Sequence, residues 1–105
     1  AAEVYLNIAG GYRLSDPAAD LAVAAAIISA WSERPVPIDT IAFGEVALSG
    51  EIRPVAHAGL RLKEAAKLGF EKALVPAGGT PEASAISTQS FRTLGQFVDH
   101  LLGRG

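Results

Sequence analysis

Phe43-Gly44-Glu45-Val46-Ala47-Leu48-Ser49-Gly50-Glu51-Ile52-Arg53-Pro54-Val55 is the stretch on which the reading of the fold turns. With Thr40-Ile41-Ala42 before it, the run to Leu48 reads as one long strand, rich in apolar residues, in which Gly44 marks a bend. Ser49-Gly50 is a tight-turn signal, and Glu51 to Val55 returns as the second strand of a hairpin. Pro54 has no backbone donor, which places the end of that return on a sheet edge. Glu45 is a charge in an otherwise apolar strand, so it needs a partner or a solvated face.

Upstream, Val4 to Ala9 reads as a strand that stops at Gly10-Gly11. Ser15-Asp16-Pro17 then signals a helix start, since Asp caps free amides and Pro tolerates the first helical position. Asp16 and Asp20 lie four apart there, where negative charge is favoured. The helix runs from Pro17 to about Ser32 and is apolar almost all round. Leu21, Ala24, Ala25 and Ile28 share one face, while Val23, Ile27 and Trp31 fall elsewhere. Such a helix calls for cover on more than one side, from another segment or a neighbouring subunit. Arg34-Pro35-Val36-Pro37 ends it.

Downstream, Gly59 to Leu68 predicts an amphipathic helix with Leu60, Leu62, Ala65 and Ala66 inward, Arg61, Lys63, Glu64 and Lys67 outward, and Gly69 as its stop. Lys72 to Pro76 is a strand, Ala77 to Pro81 a loop, and Ala85 to Thr88 a further short strand. Phe91 to Leu102 predicts a last helix with Leu94, Phe97, Val98 and Leu101 on one face. The order β-α-β-β-α-β-β-α predicts an α+β fold, a mixed sheet with helices packed on it, in a single domain over residues 1–105.

Composition narrows the function classes. Of 105 residues, 50% are hydrophobic and 19% charged, and the mean hydropathy is +0.28. This builds a packed core and excludes a disordered tail or a basic arm. The absence of cysteine excludes disulfide scaffolds, thiolate zinc sites, iron–sulfur clusters and cysteine nucleophiles, and suits the cytoplasm. No methionine is present, even at position 1, which predicts a chain processed or excised from something longer, with excision favoured. A net charge of −2 argues against a surface wholly devoted to nucleic acid, while leaving room for a local basic patch. Ala18 to Trp31 is too short for a membrane span and carries Asp20, and it lacks the flanks of a signal peptide.

Few residues carry chemistry. His57 and His100 lack ligands at metal spacing, and Gly78-Gly79 opens no helix with a Lys and a hydroxyl, so no metal or cofactor is expected in this chain. Arg53, Arg61, Lys63 and Lys67 form a positive group in the hairpin return and the helix behind it, the candidate DNA-binding residues. No aromatic side chain interleaves with them, so a base-stacking platform is not visible.

The block from Phe43 to Val55 resembles the proteolytic domain of Lon-type proteases, whose strand–turn–strand reads Thr-Gly-Glu-(apolar)-x-Leu-x-Gly-x-(apolar)-x-Pro. The likeness continues upstream to Asp16-Pro17-Ala18-Ala19-Asp20 and Arg34-Pro35. Downstream it takes in Glu64-Ala65-Ala66-Lys67-Leu68-Gly69-Phe70 and Leu74-Val75-Pro76, so that it covers most of residues 4–76. It implies a Lon-like fold, truncated on its N-terminal side. Lon-type proteases use a serine activated by a lysine. The serine position matches Ala18 and the lysine position matches Gly59, so the resemblance implies loss of both reacting groups.

With Ala-Ala-Asp-Leu-Ala in place of the serine motif and Arg61-Leu62-Lys63-Glu64-Ala65-Ala66-Lys67 behind the hairpin, the chain is similar to the C-terminal domain of the bacterial RadA (Sms) family. That resemblance implies a non-catalytic module of a DNA repair ATPase. It would serve assembly of a hexameric ring and contact with single-stranded or branched DNA in recombination and branch migration, alongside a RecA-type recombinase. ATP, Mg and Zn would belong to the rest of the full-length protein, and the location would be cytoplasmic. Two alternatives stand beside it. One is an active serine–lysine peptidase with a relocated dyad, Ser15 or Ser49 with Lys63. The other is the Lon-like N-terminal domain of a magnesium-chelatase-like competence ATPase.

Overall fold

The computed structural model describes residues 17–78 and 86–104. The strand expected at Val4 to Ala9, the capping role of Asp16, the dyad candidate Ser15 and the loop at Thr80-Pro81 lie outside the described residues. A turn of 3-10 helix, Pro17–Ala19, leads into α1, Asp20–Ser32. Three short strands follow, β1 Thr40–Ala42, β2 Glu45–Val46 and β3 Ile52–Arg53, then α2, Ala58–Lys67. The chain ends with β4 Lys72–Pro76, β5 Ser87–Phe91 and α3 Leu94–Leu101.

The fold is α+β, but its strands form two sheets rather than one mixed sheet. β1, β4 and β5 make a parallel sheet in the order β1-β4-β5, and β2 and β3 make a separate antiparallel pair. The hairpin has Glu45 opposite Arg53 and Val46 opposite Ile52. The long strand expected from Thr40 to Leu48 is therefore broken. Gly44, at φ 155°, redirects the chain after Phe43 so that the two halves join different sheets. The Gly44 amide donates to the Ala18 carbonyl at 2.9 Å, and its own carbonyl accepts from Leu21 N at 3.0 Å. These bonds tie the break to the start of α1.

Apolar side chains sort onto the two faces of the parallel sheet. On one face Leu21 and Ala25 of α1, Phe97 of α3 and Ile52 pack with Ala42, Leu74 and Phe91. On the other, Ala58, Leu62 and Ala65 of α2 cover Ala73 and Val75, with Phe43 and Ile86 completing the layer. Phe91 and Phe97 meet edge to face with ring centroids 5.4 Å apart. Alanines at 22, 25 and 26 let α1 lie close to its neighbours.

Helix ends follow local chemistry. α2 stops in a paired turn, with Gly69 N donating to Ala66 O and Phe70 N to Ala65 O, and Gly69 holds φ 94° as expected of a stop. Leu62 and Ala65 point inward as expected, whereas Leu60 stands 56% exposed and Ala66 is only half-buried, because α2 meets the sheet along a narrow strip. The last helix begins at Leu94 rather than Phe91. Phe91 belongs to β5, which extends three residues beyond the expected end at Thr88. Thr93 caps α3 by accepting from Gln96 N at 3.2 Å, and Gln96 Oε1 accepts from Arg92 N at 3.0 Å.

Candidate functional site

The four cations picked out from sequence occupy two elements. Arg53 lies on β3, exposed, opposite the half-buried Glu45. Arg61, Lys63 and Lys67 lie on α2. Lys63 and Lys67, four residues apart, share one exposed stripe. Lys67 Nζ is 3.8 Å from Glu64 Oε1, an exposed pair that contributes little. Arg61 projects from nearly the opposite side of the helix, about 160° from Lys63 at 100° per residue. It is half-buried, and its Nε donates to the Ala56 carbonyl at 3.1 Å. The structure thus brings Lys63 and Lys67 together and directs Arg61 to the start of α2, beside His57 and Leu60.

The positions that the resemblance assigns to a serine–lysine dyad are Ala18 and Gly59. Ala18 is buried in the 3-10 turn, engaged through its carbonyl with Gly44. Gly59 sits exposed in the first turn of α2. Ser49 lies in the β2–β3 turn, where its Oγ accepts from Glu51 N at 3.4 Å, and Lys63 points to solvent.

The carboxylate of Asp20, which the sequence places where negative charge is favoured, has a tertiary task instead. Its Oδ2 accepts from Val46 N at 3.0 Å, which ties α1 to the hairpin. Among the described residues, Ala19 at the start of α1 makes no side-chain capping bond.

α1 carries a stripe of exposed apolar surface among the described residues. Ile27 is 59% and Trp31 78% exposed, one helical turn apart. This is the face for which the sequence called for a second cover.

His100, which sequence showed only as a histidine without metal-spaced neighbours, lies on the last helix. Its ring tilts against Phe91 with centroids 5.2 Å apart, and its Nδ1 lies 3.3 Å from Gln89 Nε2. It stands where two shallow grooves, of about 440 and 330 Å³, share Val36, Pro37 and Leu101. The readable signal was the alternation of Gln89 and Phe91, which directs both side chains to one face of β5. Among the described residues no group of three or more His, Asp or Glu side chains is placed to hold a metal ion, and no helix is long and apolar enough to cross a membrane.

Comparison with known proteins adds a second line of observation. Residues 2–79 match a protein-family model described as subunit ChlI of Mg-chelatase. The chain is 59% identical over 76 residues to DNA repair protein RadA of Brucella abortus, covering 72% of this chain and 16% of that protein. It is 61% identical over 70 residues to DNA repair protein RadA of Rickettsia felis, covering 67% of this chain and 16% of that protein. With DNA repair protein RadA of Haemophilus influenzae the identity is 44% over 99 residues, 94% of this chain and 21% of that protein. The chain spans about a fifth or less of the length of these relatives.

Proposed function

Because the chain belongs to the RadA family, and its sequence to the wider group described as subunit ChlI of Mg-chelatase, we propose that it is a non-catalytic assembly and DNA-contact module of a DNA repair ATPase. The observation that carries the reading is the uncovered apolar stripe of α1 at Ile27 and Trp31, on a domain whose positions matching the dyad are Ala18 and Gly59. A side chain as large as Trp31 left 78% exposed is stabilised when a neighbour removes it from water. A head-to-tail contact through this stripe closes into a ring when the rotation between copies allows it. The ring would be hexameric in the whole protein.

DNA contact falls to the exposed cations. Lys63 and Lys67 offer two ammonium groups on one stripe, and Arg53 a guanidinium on the hairpin. Such contacts go to phosphates and carry no sequence preference. Arg61, half-buried at the other side of α2, belongs to the same group with a smaller share. In this reading ATP, Mg and Zn serve the remainder of the whole protein, and a RecA-type recombinase is a further partner. The match to the ChlI model favours the competence-ATPase alternative only as far as family membership goes.

Sedimentation velocity of this chain at low salt, with a labelled single strand present, tests both halves. A ring-sized species that disappears in Trp31→Asp supports the assembly role, and a monomer at all concentrations refutes it for the isolated domain. For the DNA role, the full-length protein with Arg53, Arg61, Lys63 and Lys67 all changed to Ala is expected to bind more weakly and with a shallower salt dependence. Every single-strand phosphate that the variant no longer neutralises lowers the slope of log K against log salt by about 0.7. An unchanged affinity and slope would refute the assignment.

A further inference from the structure

β5 is an outer strand of the parallel sheet, and its free side carries a usable set of backbone groups. The pairing with β4 is parallel, with Ser87 opposite Lys72 and Phe91 opposite Pro76. Ser87 N donates to Glu71 O at 3.1 Å, and Phe91 O accepts from Ala77 N at 2.9 Å. The ladder alternates, so Ser87, Gln89 and Phe91 direct their backbone groups to β4. Thr88 and Ser90 direct theirs outward, where no strand lies among the described residues. Past Phe91 the chain is already engaged, since Arg92 O accepts from Ile52 N at 2.8 Å and Leu94 N donates to Gly50 O at 2.7 Å. The open edge is therefore confined to one short segment, Ser87-Thr88-Gln89-Ser90, all four residues exposed.

Among the described residues this edge carries no charge, proline or bulge to blunt it. Proteins blunt free edges with Lys, Pro, inward charges or bulges. Here the four residues are uncharged, none is proline, and the register with β4 is unbroken. The segment is also complementary to itself. Two copies run antiparallel about a two-fold axis at Gln89 place Thr88 of each opposite Ser90 of the other. The outward N–H and C=O of those residues then exchange four hydrogen bonds, with hydroxyl side chains facing each other and no like charges opposed. The two Gln89 residues face one another on the axis as a non-hydrogen-bonded pair.

We propose that β5 is a homotypic docking edge, through which two copies of this chain pair antiparallel about Gln89 to form a continuous six-stranded sheet. The contact is isologous and closes at two. It does not depend on the head-to-tail contact proposed for α1, so either can fail while the other stands.

The absence of cysteine from the chain provides the test. Single-cysteine variants Thr88→Cys, Gln89→Cys and Ser90→Cys are prepared in a Trp31→Asp background, which removes the α1 contact, and oxidised gently. A non-hydrogen-bonded antiparallel pair sits about 4.5 Å apart at Cα, inside the range a disulfide spans. Gln89→Cys should therefore cross-link to itself at least tenfold faster than Thr88→Cys or Ser90→Cys alone, whose like positions lie diagonally apart. Mixing Thr88→Cys with Ser90→Cys should restore cross-linking between the two. Equal rates for all three, or no cross-link at position 89, overturns the proposal. Sedimentation equilibrium of the Trp31→Asp chain is the check independent of cysteine. Adding Ser90→Lys should weaken dimerisation at least tenfold, and a chain monomeric up to about millimolar concentration overturns the proposal as well.

Discussion

Replacing Gly44 by Ala probes the joint on which the whole arrangement rests. Gly44 holds φ 155°, between Phe43 of the α2 layer and Glu45 of the hairpin. A Cβ built there meets Pro76 Cγ at 3.0 Å, Ile52 Cγ2 at 3.3 Å and Leu21 Cδ2 at 3.4 Å. Pro76 is fully buried, as is Leu21, so neither retreats easily. Backbone strain for a non-glycine residue costs about 1–3 kcal/mol, and one surplus methyl in a packed core costs about 1–3 kcal/mol. The alanine recovers about 0.4–1 kcal/mol by restricting the unfolded chain. A net loss of about 1–5.6 kcal/mol follows, which at a urea slope of about 1.5 kcal/mol/M lowers the midpoint by ~0.7–3.7 M. Far-UV circular dichroism in urea is the assay, because Trp31 is too exposed to report on the core. Gly50→Ala is the control, with φ 87° but no atom within 4 Å of the added carbon, so it carries backbone strain without the clash. If Gly44→Ala shifts the midpoint no further than Gly50→Ala, the steric half of the reasoning is refuted.

Asp20→Ala should cost about 1.5–3 kcal/mol, because the half-buried Val46 amide loses a charged acceptor at 3.0 Å. Asp20→Asn, which keeps an acceptor oxygen, should recover part of that, and thermal melts of the two variants check the order. Phe97→Ala, at a site with no exposure and an edge-to-face contact with Phe91, should remove about 3–5 kcal/mol and leave little folded protein by circular dichroism at 37 °C. A fluorophosphonate probe should leave the chain unlabelled in intact-mass spectra, as expected where the positions that the resemblance assigns to the dyad are Ala18 and Gly59; stoichiometric labelling would restore the peptidase reading.

The hairpin, α2 with its glycine stop, and β4 were legible because each rests on a local rule. Ser49-Gly50 sets a turn, Gly69 adopts the conformation that ends α2, and Lys72 to Pro76 is a short apolar run bounded by breakers. The division at Gly44 was half legible. A glycine in a strand signals a bend, but which sheet each half joins depends on Ala18, Leu21 and Leu74, all distant in sequence. The boundary at Phe91 was missed because Phe91, Leu94, Phe97 and Leu101 also fit a helical face, and that pattern concealed the Thr93–Gln96 cap. Local capping chemistry, read before hydrophobic spacing, places the boundary correctly.

The same distinction governs the candidate site. Arg61, Lys63 and Lys67 are close in sequence, yet a helix spreads neighbours two apart around its girth, so the chain of four cations does not become one patch. What the sequence could not supply was direction. A side chain two positions from Lys63 faces nearly the other way and spends its donors on the Ala56 carbonyl, whereas one four positions away reinforces it. Apolar surface behaves in the opposite manner. Ile27 and Trp31 lie one turn apart, which was already readable from spacing alone, and both are exposed while Leu21 and Ala25 of the same helix face the core. In the proposed reading, an exposed apolar stripe on α1 among the described residues, with charge divided between elements, suits the domain better to holding neighbours in register than to binding nucleic acid alone. If the proposed ring forms, DNA contact should strengthen with assembly, as copies bring separate lysine stripes to one strand and each further stripe binds at the effective concentration set by the ring.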